Sequence, residues 1–214
     1  MLLHWELFSR LLMKHPFLRF LGQNSRGALT EVCQYAIAEA RFHPGEEIFH
    51  RGAKAEGMLL LNIGRLQYFA GVEQRSLGEG MFVDVGQWLC EQCLWIPWTH
   101  QGRLVAHDQS LCLMLSSKQF GMIMENRPQE LLWCRHYARL WLGHLRDTFR
   151  ASNGDDVHDL FLSNDDLRSL VRRISGTIAA INPFHLRAQS DLSTHPSGHS
   201  VHTVSTEMKF NQNL

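Results

Sequence analysis

The chain of 214 residues has no excess of charge of either sign: 21 Lys and Arg stand against 21 Asp and Glu. Without a basic surplus nothing neutralises a run of phosphates, so a nucleic-acid partner is not expected. The same shortage excludes a polybasic membrane-surface anchor. Long apolar runs are missing too. The longest, such as Met58–Leu61 and Leu111–Leu115, fall far short of the roughly 20 residues of a transmembrane helix. The opening Met-Leu-Leu meets His4, Glu6 and Arg10 at once, so a signal-peptide core is not expected either. Cysteine is scarce: five residues, at 33, 90, 93, 112 and 134, an odd and scattered set that makes no disulfide framework. A reducing, cytoplasmic location is the expectation. No nucleophile and base stand at a recognisable spacing, so no catalytic residue and no enzyme are expected. There is no internal repeat.

What the chain does have is 44% apolar residues and 13 histidines, a composition able to build a globular core. Three patterns follow one another. Leu3, Leu7, Phe8, Leu11 and Leu12 recur at helical spacing until His15-Pro16 breaks the helix. Leu29, Val32, Cys33, Ala36, Ile37 and Ala40 predict a second helix from about Arg26. Between Arg41 and Leu115 the period changes to short apolar stretches punctuated by nine of the 16 glycines, the mark of a β-sandwich or barrel. Helical spacing resumes with Phe120, Ile123 and Met124, then from Gln129 to about Arg150. There Leu131, Cys134, Ala138, Trp141, Leu142, Leu145 and Phe149 form the predicted apolar stripe. Ser152–Asp156 reads as a linker, Ser163 or Asn164 as the cap of a further helix, and 184–214 as a disordered Ser/Thr/His-rich tail. The expected division is 1–25 for the N-terminal helix, 26–150 for the domain (β segment about 41–116, helices 117–150), and 151–183 for linker and helix.

The order of glycines and the residues around them resemble the cyclic nucleotide-binding domain family over roughly residues 15–150. His15-Pro16-Phe17-Leu18 is similar to the lead-in of channel members. Phe42-His43-Pro44-Gly45-Glu46-Glu47-Ile48 with Gly52 is similar to the opening hairpin, and Met58–Gly64 to the strand and turn after it. Gly86–Trp95 and His100–Ala106 match the loop, short helix and strand that hold the ligand phosphate. A rival register, with Gly80–Asp84 on that motif, puts Cys93 where the phosphate-binding residue belongs, and the first register is preferred. The resemblance implies an α+β fold, an eight-stranded jelly-roll β-barrel of the RmlC-like kind flanked by helices. It also implies a regulatory, signalling role with cAMP or cGMP as ligand and no further cofactor. The implied site is Leu89, Cys90, Glu91, Gln92, Cys93, His100 and Gln101. N–H groups of Glu91, Gln92 and Cys93 would meet the phosphate, and the Glu91 carboxylate would meet the ribose hydroxyl. His100 stands where the family has an arginine, Cys90 where it has glycine, and Gln101-Gly102 where small residues follow. A neutral imidazole offers one donor and no fixed charge.

The resemblance points to an ion channel or a kinase regulatory subunit as origin, and so to a channel assembly or other protein partner on the cytoplasmic face of a membrane. The alternative is a degenerate domain that binds no cyclic nucleotide and serves protein interaction. Cys90-Glu91-Gln92-Cys93 is a C-x-x-C, but no second pair follows at finger spacing and His100 is the sole nearby ligand. It reads as two small residues packing a short helix, and no metal site is expected. Trp88, Trp95 and Trp98 are expected to pack between the β segment and the helices, and Leu142 and Leu145 to face the pocket from a lid helix. Arg172-Arg173-Ile174-Ser175 fits a basic-directed kinase site on a helix face. His195, His199 and His202 do not make a metal site without a helix.

Overall fold

A computed structural model describes residues 2–70, 80–151, 158–160 and 163–181. Helix α1 (Leu2–Leu12) buries Phe8, Leu11 and Leu12 and leaves Leu7 outside. It stops before His15-Pro16, but the chain turns straight into α2 (Pro16–Asn24). Proline suits the first helical position, where its missing N–H has no partner to lose, and His15 Nδ1 accepts from the Leu18 N–H at 3.4 Å. Helix α3 (Arg26–Glu31) continues through a π-helical turn at Val32–Ala36.

The helix predicted through Ala40 ends there. Ile37–Phe42 is strand β1, paired residue by residue with Leu115 back to Ser110. Ala38, Glu39 and Ala40 favour a helix, but long-range pairing overrides that preference. The other strands are β2 (Glu47–Phe49), β3 (Gly57–Ile63), β4 (Leu66–Ala70), β5 (Met81–Val83), β6 (Trp88–Leu89), β7 (Gly102–Ala106) and β8 (Ser110–Ser116). They form two four-stranded antiparallel sheets, ordered β1-β8-β3-β6 and β2-β7-β4-β5. The eight strands thus divide between two ladders rather than close into one.

Phe49, Leu59, Leu61, Leu66, Tyr68, Leu104, Ala106 and Cys112 fill the space between the sheets. Met58 and Leu60 alternate to the other face of β3 and are also fully buried, because α1 and α4 (Ser117–Glu125) pack on that strand. Burial on both faces is why Met58–Leu61 reads as an unbroken apolar run. At the β3–β4 turn Gly64 has φ +89°, and a Cβ there would lie 2.4 Å from the Gln109 carbonyl.

Helix α5 (Pro128–Ala151) buries Trp133, Cys134, Tyr137 and Trp141. The predicted stripe is therefore rotated: Leu142 and Leu145 are half-buried and Phe149 is exposed. Aromatic area at positions 133, 137 and 141 outweighs the leucines. Ser163 caps α6 (Asn164–Ile181), its Oγ accepting from the Asp166 N–H at 3.2 Å. Ser175 lies exposed on α6, its hydroxyl donating to the Val171 carbonyl. A compact unit spans Met1–Thr177; of the second, Ile178–Leu214, only 178–181 are described. The predicted tail and its histidines lie outside the described residues. No described helix is long and apolar enough to cross a membrane.

Candidate functional site

Gly86, at φ +90°, turns the chain into β6, and after Leu89 the backbone enters the left-handed region at Cys90 (φ 63°). Cys90 is the one described residue other than glycine with positive φ, a conformation costing about 1–2 kcal/mol for a residue with a Cβ. The consequence is geometric: the thiol goes into the core between the sheets, and the 3-10 turn Glu91–Leu94 starts immediately. Gly80–Asp84, the rival motif register, instead contains β5.

Across from this turn lies the backbone of His158–Leu160, with Leu160 packed on the core between the sheets. Asp159 is 1% exposed, and its carboxylate is ringed by donors. Oδ2 accepts from the Tyr68 hydroxyl (2.8 Å), the Gln101 N–H (2.9 Å) and the Gly102 N–H (3.2 Å). Oδ1 accepts from Trp98 Nε1 at 2.8 Å and lies 3.1 Å from His100 Nδ1 and 3.7 Å from Cys90 Sγ. The segment is also held by its main chain: the Cys90 N–H donates to the Asp159 carbonyl and Gln92 Nε2 to the His158 carbonyl, each at 2.9 Å. Burial works to raise the Asp159 carboxyl, but hydrogen bonds from His100, Trp98 and Tyr68 outweigh it and hold it below the ordinary 3.8. Burial first, then the Asp159 charge, pushes the Cys90 thiol up and keeps it protonated.

His100 is stacked flat on Phe49, ring centres 3.6 Å apart. Gly102 explains one departure from the family pattern: a Cβ there would lie 2.4 Å from the Phe69 carbonyl and 2.5 Å from the Tyr68 hydroxyl. The missing side chain is the room through which Tyr68 reaches Asp159. Gly102→Ala is expected to destabilise the chain by about 1–3 kcal/mol through overpacking, read as an earlier midpoint in urea unfolding.

Glu91 faces away from this ring. It is 4% exposed, its Oε1 accepting from the Tyr137 hydroxyl (2.8 Å) and Trp95 Nε1 (3.2 Å), with His15 Nε2 3.1 Å from Oε2. Since His15 Nδ1 accepts from Leu18, its Nε2 carries the ring hydrogen, beside Glu91 but outside hydrogen-bond geometry. Phe17 stacks on Tyr137 with ring centres 4.3 Å apart, and Trp95 meets both rings edge-on. Burial, then the Glu91 charge, pushes the Tyr137 phenol well up. A cavity of about 610 Å³ lies beside both carboxylates, lined by Trp88, Glu91, Gln92, Trp141, Asp159 and Leu160 among others.

No protein-family model and no curated protein matches the sequence. Among solved structures the chain is similar to the N-terminal domain of a transcriptional regulator from Streptomyces coelicolor A3(2): TM-score 0.53, 18% identity, covering 66% of this chain and 94% of that one. The chain shares the fold of that domain. Further similarities are to the sensor domain of the transcriptional regulator DNR from Pseudomonas aeruginosa (TM-score 0.45, 17% identity, 55% of this chain and 80% of that one) and to cAMP-bound PfPKA-R, residues 141–441 (TM-score 0.46, 10% identity, 54% and 40%).

Within this fold the expected site residues separate. Cys90, Gln92, His100 and Gln101 converge on the 158–160 segment, Gln101 through its backbone N–H. Glu91 is spent on α2 and α5. The Cys93 N–H donates back to the Cys90 carbonyl at 3.2 Å, and the Cys93 side chain packs with Ala55 and Trp98. Leu89 belongs to the core. Asp159, Trp98 as a donor and Tyr68 were not legible as site residues. The one signal for Asp159 is the apolar Leu160 directly after an acidic, glycine-containing stretch.

Proposed function

We propose that the chain is a regulatory module of the cyclic nucleotide-binding-like kind that carries its own ligand. The carrying observation is the Asp159 carboxylate, which takes up donors from Trp98, Tyr68, Gln101 and Gly102 beside the Cys90–Leu94 turn, the turn the family resemblance assigns to phosphate. An anion of this size in that position satisfies the donors and leaves them nothing to offer a cyclic phosphate. The regulated event is then departure of the 158–160 segment, which lies between α5 and α6 and so couples its position to both helices. Five free, buried cysteines support a reducing cytoplasmic setting.

Calorimetry with cAMP and cGMP tests this reading. The wild-type chain is expected to give no saturable heat. Asp159→Ala exposes the donors, and Asp159→Ala/His100→Arg adds a forked cation. The double variant is expected to bind about 10- to 150-fold more tightly than the single one, the worth of a charged hydrogen bond. Tight binding by the wild-type chain, unchanged by Asp159→Ala, would overturn the proposal.

A further inference from the structure

Three buried donor atoms of different chemistry meet at the docked segment: Cys90 Sγ, His100 Nδ1 and Asp159 Oδ1. Their separations are 3.5 Å (S to N), 3.7 Å (S to O) and 3.1 Å (N to O). Zinc with bonds of about 2.3 Å to sulfur and about 2.0–2.2 Å to nitrogen and oxygen spaces its tetrahedral ligands about 3.4–3.6 Å apart. The three atoms therefore outline one face of such a tetrahedron. Without a metal the same triangle is held by hydrogen bonds, the Cys90 thiol and His100 Nδ1 both facing Oδ1.

We propose that Cys90, His100 and Asp159 bind one zinc ion, which clamps the 158–160 segment onto the β6–β7 side of the pocket. The inference rests on that segment being docked, and it adds what fastens it.

Charge favours the assignment. A thiolate, a neutral imidazole and a carboxylate bring −2 to a dication, so the complex is neutral, which a buried site requires. The thiol hydrogen leaves to solvent as the metal binds, with no change of oxidation state. The surroundings already have the form of an outer shell. Oδ2 is taken by Tyr68, Gln101 and Gly102, and Trp98 Nε1 steadies Oδ1, leaving Oδ1 as the oxygen that faces Cys90 and His100. The donor set selects the ion. Thiolate and imidazole are poor ligands for magnesium and calcium, which take oxygen, and good ones for zinc. Cys93, the other half of the C-x-x-C, is not among the three. The third ligand comes from 59 positions beyond His100, which is why no finger-like spacing announces it.

The test is metal analysis of the full chain purified without a metal-affinity tag, then cobalt(II) titration of the chelator-treated protein. One equivalent of zinc and a thiolate-to-cobalt charge-transfer band are expected. Cys90→Ser should remove the band, Cys93→Ser should leave it, and Trp98→Phe should weaken cobalt binding by about 10- to 100-fold while keeping the band. Substoichiometric zinc with no band in the wild-type chain overturns the proposal without any variant having to fold. So does a band lost in Cys93→Ser but kept in Cys90→Ser. Neither result touches the self-liganding reading, which fails if the wild-type chain binds a cyclic nucleotide tightly and Asp159→Ala leaves that binding unchanged.

Discussion

Asp159→Ala is expected to cost about 3–5 kcal/mol of folding stability, the range for leaving buried charged-group partners uncompensated. At about 2–4 °C per kcal/mol for a chain of this size, that is a fall in melting temperature of roughly 6–20 °C. The argument is one of stranded donors: Trp98 Nε1, the Tyr68 hydroxyl and the Gln101 and Gly102 N–H groups all aim at this carboxylate, and a methyl group answers none of them. The pH profile carries the sign. Because the folded carboxyl lies below its ordinary 3.8, its contribution is complete at any pH well above that value. It is lost as the pH falls through the lower, folded value. In the chelator-treated protein the gap between wild-type and Asp159→Asn stability should thus be flat from pH 5 to 8 and close only in stronger acid. A gap that opens with rising pH between 6 and 8 would show that another group dominates.

Glu91→Ala is expected to cost about 2–4 kcal/mol, because the Tyr137 hydroxyl and Trp95 Nε1 lose their shared acceptor in a dry setting. Glu91→Gln retains the carbonyl acceptor and should cost less, about 1–2 kcal/mol. Chemical unfolding separates this role from the ribose contact that the family motif implies. A ribose ligand can be replaced with little change in unfolding midpoint. A carboxylate that ties α2 and α5 to the 3-10 turn cannot. Unfolding of Glu91→Ala at the wild-type midpoint would return the residue to the ligand.

The β segment was legible because glycine spacing and short apolar runs are local signals, and β3 to β8 follow them. The switch from α3 to β1 was not. Ala38, Glu39 and Ala40 carry a helical preference, and only the partner strand 70 or more residues later decides otherwise. The rotation of α5 was hidden for a related reason. Trp133 and Tyr137 are bulky and amphipathic, and their burial depends on Phe17, Phe20 and Glu91 arriving from elsewhere. At the site, sequence reading found the turn and His100 but assigned them an external partner. Cys90 in place of glycine and Gly102 in place of a larger residue look like losses against the family motif. In three dimensions they are adjustments to an internal carboxylate: the thiol faces Asp159, and the absent Cβ admits Tyr68. Nothing in the order of residues says that one aspartate among several near the end of α5 folds back.

Asp159 lies eight positions past the last residue of α5, and that covalent shortness sets a threshold for any competitor. An occupant tethered so closely is present at an effective concentration of about millimolar, whatever the amount of protein. A free ligand for the same donors would have to exceed both its own dissociation constant and the handicap of competing with that tethered carboxylate. Dilution does not relieve that handicap. On the proposed reading only a change in the tether or in what fastens it does, which would make events on the chain itself the signal ahead of small-molecule abundance.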